Sequence, residues 1–169
     1  MRKLVTAGIV LLWAAPAFAL DGYQDRRGLF LGLNAGGGRS SPSEGPSEFG
    51  RRFGVRVGGG VAESLTLDVL GDFLFMGGDA GRVFSFYGGA SYFVVPMAYV
   101  RGAIGFSQLK FDVGLNTETE PGLAFQVGAG FEMFVNSDLA AGFSVNYDRQ
   151  EFDSGGINQV TGLIGINWY

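Results

Sequence analysis

The feature that most constrains this chain is a two-residue alternation running from Leu123 to Tyr147 with one interruption. Leu123, Phe125, Val127, Ala129, Phe131 and Met133 share one parity, and Ala124, Gln126, Gly128, Gly130 and Glu132 share the other. After Val135-Asn136-Ser137-Asp138 the alternation resumes, with Leu139, Ala141, Phe143, Val145 and Tyr147 against Ala140, Gly142, Ser144, Asn146 and Asp148. Two period-two runs around an Asn-Ser-Asp break predict a β-hairpin. The polar face holds glycines, amides and single acids and no lysine. A water-facing strand is normally dressed in Lys, Glu, Thr and Ser. Small and amide side chains suit the crowded inside of a narrow barrel, which turns the apolar face outward into lipid.

Composition supports strands as the means of crossing. Hydrophobic residues make up 47% of the 169. No apolar run beyond residue 20 reaches the length a spanning helix needs. With no Cys there are no disulfides or thiolate metal sites. With no His, the commonest general base and metal ligand is missing. The start reads as targeting: basic Arg2-Lys3, apolar Leu4 to Ala15, then Ala17-Phe18-Ala19. This predicts a signal peptide at 1–19, cleavage after Ala19 and a barrel domain at 20–169; an uncleaved membrane anchor is the alternative. Losing Arg2 and Lys3 takes the net charge from −4 to −6, which argues against nucleic acid as a partner.

Six further alternating runs accompany the hairpin, at 28–38, 52–61, 65–75, 83–94, 98–109 and 158–169. In the run at 83–94, Phe84, Phe86, Ala90, Tyr92 and Val94 form the outer face, although Tyr87 and Phe93 lie on the other. Three connections look tight, at 62–64, 95–97 and 135–138. Four look longer and polar, centred near 45, 79, 116 and 153 and including Ser40–Gly50, Asp112–Glu120 and Arg149–Gly156. These loops carry no apolar anchor patch beyond Phe49, Leu115 and Phe152. The expected architecture is an all-β, eight-stranded antiparallel up-and-down transmembrane barrel. A soluble lipocalin-like barrel shares the alternation but turns the apolar face inward. Its water-facing wall would here be nearly free of lysine, since only Lys3 and Lys110 exist.

Arg56, Asp68, Asp72, Arg101 and Glu132 fall mid-strand with inward parity, and Asp148 lies nearer a mouth. Buried charges must be paired, so these residues predict a structural ion-pair network in the lumen. A turn centred near Ala62 would pair Arg56 with Asp68 or Asp72, and similar distances from the turn end would pair Arg101 with Glu132. Conduction or catalysis is the competing use of such charges. Ser85, Ser91, Ser107 and Ser144 lack a histidine to activate them. Gly36-Gly37-Gly38 and Gly58-Gly59-Gly60 lack the Gly-Lys-Ser/Thr completion of a phosphate loop. No catalytic residue, metal site or cofactor is expected.

Three segments resemble the small eight-stranded outer-membrane barrels of Gram-negative bacteria, the OmpA/OmpX type. They are Gly28-Leu29-Phe30-Leu31-Gly32-Leu33-Asn34-Ala35-Gly36, the hairpin from Gly128 to Asp148, and Gly162-Leu163-Ile164-Gly165-Ile166-Asn167-Trp168-Tyr169. The resemblance covers the chain after the leader and implies location in the cell outer membrane. It implies outer-membrane lipid as surroundings and recognition of the aromatic last strand by the barrel-assembly machinery. It departs at the end, where Asn167 stands at a position normally apolar; the lipid face is assigned to the parity of Trp168. The implied role is envelope structure and surface interaction through extracellular loops, with an unidentified ligand. A narrow channel for small or hydrophobic solutes and a His-independent lipid-active enzyme are the alternatives.

Overall fold

The computed structural model describes residues 26–43, 46–77, 81–113 and 116–169. The signal peptide expected at 1–19 and its cleavage point lie outside them. Eight strands follow in chain order: β1 (Gly28–Pro42), β2 (Glu48–Ala62), β3 (Leu65–Met76), β4 (Arg82–Val95), β5 (Ala98–Val113), β6 (Asn116–Phe134), β7 (Leu139–Phe152) and β8 (Gly155–Trp168). Each pairs antiparallel with its neighbour in sequence, and β8 pairs with β1 to close the barrel. Closure satisfies every strand edge, which hydrocarbon demands because it offers no hydrogen bonds.

The period-two pattern sorts the wall as expected. Leu29, Val57, Val69, Phe86, Ile104, Val127, Val145 and Ile164, one from each strand, are exposed on the outside. A soluble protein does not display an apolar belt around its whole circumference. The exposed wall is therefore a lipid-facing surface, and the lipocalin-like arrangement is reversed. On β4, Phe84, Phe86, Tyr92 and Val94 face outward while Tyr87 and Phe93 are buried in the lumen. On β8, Trp168 is exposed outward, and Asn167 points into the lumen, where it meets Arg56 and Glu132. Its polar character at the end of the chain thus has an inward explanation.

Inside, glycine makes room for large neighbours. Gly105 stands opposite Tyr87, and a Cβ there would collide with the Phe86 carbonyl. Gly60 does the same for the incoming chain, because a Cβ would strike the carbonyl of Arg26.

Two expectations need correction. The segments read as long loops are mostly strand. β1 and β2 run to Pro42 and from Glu48, β5 and β6 pair as far as Val113 with Asn116, and β7 and β8 leave only Asp153-Ser154 between them. Ser, Glu and Thr mark solvent exposure, and a hairpin can continue pairing into solvent without changing its backbone. Phe152, read as a loop residue, is buried in the barrel mouth, whereas Phe49 is exposed at the rim; Leu115 lies outside the described residues. The second correction is register. A bulge between Gly60 and Ala62 places Asp68 opposite Gly58 and Arg56 opposite Leu70, so Arg56 does not face Asp68 as predicted.

Candidate functional site

The lumen is the site the sequence pointed to, and it is filled in layers. At mid-height β2 contributes Arg52. Its guanidinium holds Asp148 of β7 in a two-pronged contact, Nη1 to Oδ2 at 2.5 Å and Nη2 to Oδ1 at 3.0 Å. Its Nε lies 2.7 Å from Asp72 Oδ2 on β3, and Nη1 also donates to Thr161 Oγ1 on β8 at 3.1 Å. Asp148 Oδ1 accepts further hydrogen bonds from Gln126 Nε2 at 2.8 Å and Tyr87 OH at 3.1 Å. Gln126 passes the contact on, its Oε1 accepting from Arg101 Nη1 at 2.6 Å. Arg101 Nη2 in turn pairs with Asp68 on β3.

The chain Asp68, Arg101, Gln126, Asp148, Arg52, Asp72 thus runs around the barrel and returns to β3. Asp148 has no exposed surface, and Arg52 and Asp72 are almost as buried. Charge-assisted and bidentate bonds of this kind are the ones able to offset desolvation. Asp68 Oδ2 and Asp72 Oδ1 have no hydrogen-bond partner among the described residues.

Both ends are occupied. Towards the end away from the termini, Gln150, Gln159, Ser85 and Ser107 form a hydrogen-bonded layer. Above it Leu74, Val83, Phe152 and Ile157 pack together, with Met76 and Leu109 against them. At the terminal end Arg26 folds into the mouth. Its Nε donates to Glu132 Oε1 at 2.8 Å and its Nη2 to the Pro96 carbonyl at 2.6 Å. The guanidinium lies 3.9 Å from the Phe93 ring centre and 5.2 Å from that of Phe134. Tyr169 OH and Asn167 Nδ2 complete the coordination of Glu132, at 2.8 and 2.5 Å. Between the plug and the ring lies a cavity of about 50 Å³, lined by Asn34, Arg56, Tyr99, Arg101, Asn146 and Asn167 among others. That is room for roughly three or four waters.

All five predicted network residues line this lumen, but their pairing differs from expectation. Arg56 meets no carboxylate; it donates to Asn167 Oδ1 at 3.2 Å and stacks 4.9 Å from the Phe30 ring. Arg101 takes Asp68 rather than Glu132. Equal distance from separate turns is not equal height in a barrel whose strands are tilted and sheared. Glu132 sits at the mouth, its backbone N–H bonded to the Met97 carbonyl. Two members were missed. Arg52 shares the inward parity of Arg56, so its signal was present. Arg26 precedes the first alternating run, where no periodicity assigns a face.

At the opposite rim, beyond the highest outward apolar residue of β6, Glu120 accepts from the Ser154 backbone N–H at 2.5 Å and its hydroxyl at 2.6 Å. These bonds hold its carboxyl below the ordinary value.

The closed count of eight, the lipid-facing wall and the filled lumen define a class: the chain is a transmembrane barrel with the fold of the small eight-stranded outer-membrane proteins. Neisserial surface protein A superposes with a TM-score of 0.75 at 14% identity, over 83% of this chain and 96% of that one. Ail, the attachment invasion locus protein of Yersinia pestis, gives 0.55 at 14%, over 84% and 98%. The outer-membrane enzyme PagL gives 0.58 at 15%, over 79% and 97%. No family model matches the sequence. No curated protein matches it either.

Proposed function

We propose that this protein is an integral outer-membrane barrel that serves envelope structure and surface interaction, with no catalysis and no open channel. The observation that carries this reading is the blocked lumen. An apolar cap, a paired ion ring and the Arg26 plug succeed one another along the axis. The lumen charges then serve the barrel itself, and recognition falls to the hairpin ends opposite the termini. In this orientation those ends face the cell exterior and the termini face the periplasm, where the barrel-assembly machinery reads the last strand.

The fold is compatible with both binding and catalysis, since its neighbours include an attachment protein and an enzyme. The side chains favour the non-catalytic reading. Ser85 is bonded to Ser107 and Gln150, and Ser144 accepts from Asn146. None of these serines contacts a carboxylate among the described residues.

The test is reconstitution in a planar bilayer. The folded protein should give no sustained current, and a steady ohmic conductance would overturn the blocked-lumen reading. Epitope tags near residues 45 and 116 should be accessible on intact cells; tags reached only after permeabilisation would reverse the topology.

A further inference from the structure

Near the end away from the termini, the outer wall carries a band of basic residues. Following each strand's outward parity away from the termini, the first charged residue is Arg39 on β1, Arg51 on β2, Arg82 on β4, Lys110 on β5 and Arg149 on β7. On β3, β6 and β8 the corresponding positions are Gly77, Thr119 and Asn158. Arg149 is satisfied by Glu151 at 2.6 Å and Asn158 at 2.9 Å. Arg39, Arg51, Arg82 and Lys110 are exposed and make no ion pair or side-chain hydrogen bond among the described residues. The terminal end differs, because there Arg27 pairs with Glu63 at 3.0 Å.

The unpaired cations are also close neighbours. Arg51 is registered with Phe75, Phe75 with Arg82, and Arg82 with Lys110. Arg82 and Lys110 are thus directly opposed on adjacent strands, both outward, with Cα atoms about 5 Å apart. Like charges so placed repel, and among the described residues neither makes an ion pair with a carboxylate. An anion bridging the two would turn the repulsion into binding. Below them stand the exposed aromatics Phe53, Phe84, Phe86 and Phe106.

We propose that the arc Arg51–Phe75–Arg82–Lys110 binds the phosphorylated headgroup of an outer-leaflet lipid whose acyl chains lie on the apolar wall beneath. Guanidinium groups hold phosphate oxygens in pairs, and the lysine adds a mobile point charge. The position fixes the ligand class. A soluble anion needs only the cations, whereas these stand at the upper edge of a hydrocarbon-facing wall. The inference rests on the reading of this end as the outer-leaflet end.

The test uses the full mature barrel folded in zwitterionic micelles, which leave both ends accessible and so do not depend on topology in the cell. A phosphorylated outer-membrane glycolipid, the same lipid after phosphatase treatment, and inorganic phosphate are titrated separately and followed by native mass spectrometry. The wild type should retain the phosphorylated lipid and neither of the others. Arg82→Gln with Lys110→Gln should weaken retention about fivefold for each cation removed, while Arg149→Gln, already paired, should leave it unchanged. Heat-modifiable migration checks that each variant is folded. Equal retention by wild type and the double variant would overturn the proposal, as would equal retention of the dephosphorylated lipid. Displacement of the lipid by equimolar inorganic phosphate would show an anion site without a lipid component and would also overturn it. Loss of the surface topology described above, with lipid retention intact, would instead count against the orientation.

Discussion

Arg51 and Arg52 are consecutive, yet they inhabit opposite environments. Arg52 is buried in the lumen between Asp72 and Asp148, while Arg51 is exposed on the outer wall with no anionic partner among the described residues. The strand pleat alone separates them. The difference teaches that in a barrel of this width the inner charges belong to the fold, since each must be met by an opposite charge or hydrogen bond. The outer charges at the rim are available to surroundings. The lumen bears this out among the described residues, where the guanidiniums of Arg26, Arg52 and Arg101 stand against the carboxylates of Asp68, Asp72, Glu132 and Asp148, and Arg56 is met by the Asn167 amide oxygen and the Phe30 ring.

The sharpest way to break the comparison is to truncate its inner member. Arg52→Met strands two buried carboxylates and should cost about 3–5 kcal/mol, measured by urea unfolding in lipid vesicles. Stability within error of the wild type would mean the ring is solvated and the contrast false. If Asp72→Leu and Asp148→Leu are added to it, much of the loss should return, because removing Arg52 together with both its carboxylates removes their desolvation cost as well.

Glu132→Ala tests the plug. It leaves Arg26 its bond to the Pro96 carbonyl and the faces of two aromatic rings, so the loss should be smaller, about 1–3 kcal/mol. A limited-proteolysis site appearing near Arg26 in the variant would show the lead-in released. An unchanged cleavage pattern together with unchanged stability would show that Glu132 does not hold it.

At the rim, the Glu120–Ser154 contact should respond to acid. The carboxyl is held below its ordinary value in the folded barrel. Its contribution is therefore present above the ordinary glutamate range and is lost as pH falls through the lower folded value. The Ser154 amide resonance should titrate with a midpoint below that of a free glutamate, and a midpoint at or above it would discard the contact. The smallest effect is expected for the outer member of the opening pair. Arg51→Gln should leave stability in zwitterionic lipid within about 0.5 kcal/mol of the wild type. A larger loss would mean Arg51 is structural after all.

Much of this molecule is legible in the chain alone. Strand number, the antiparallel order and the facing of residues such as Phe86, Tyr87, Gln126 and Trp168 follow from parity, because alternation in a strand is fixed by local covalent geometry. The inward destiny of Arg56, Asp68, Asp72, Arg101 and Glu132 follows from the same rule. Which carboxylate meets which arginine does not. Two of the ring's ion pairs join strands that are not neighbours, Arg52 of β2 with Asp148 of β7 and Arg101 of β5 with Asp68 of β3, and their heights depend on shear and on the bulge at Gly60/Ala62. Parity records a residue's face and says nothing of its height around a closed, tilted wall. Arg26 shows the limit most plainly. It precedes the first strand, and only the finished mouth, with Phe93, Pro96, Glu132 and Phe134 brought together from two hairpins, gives it a place.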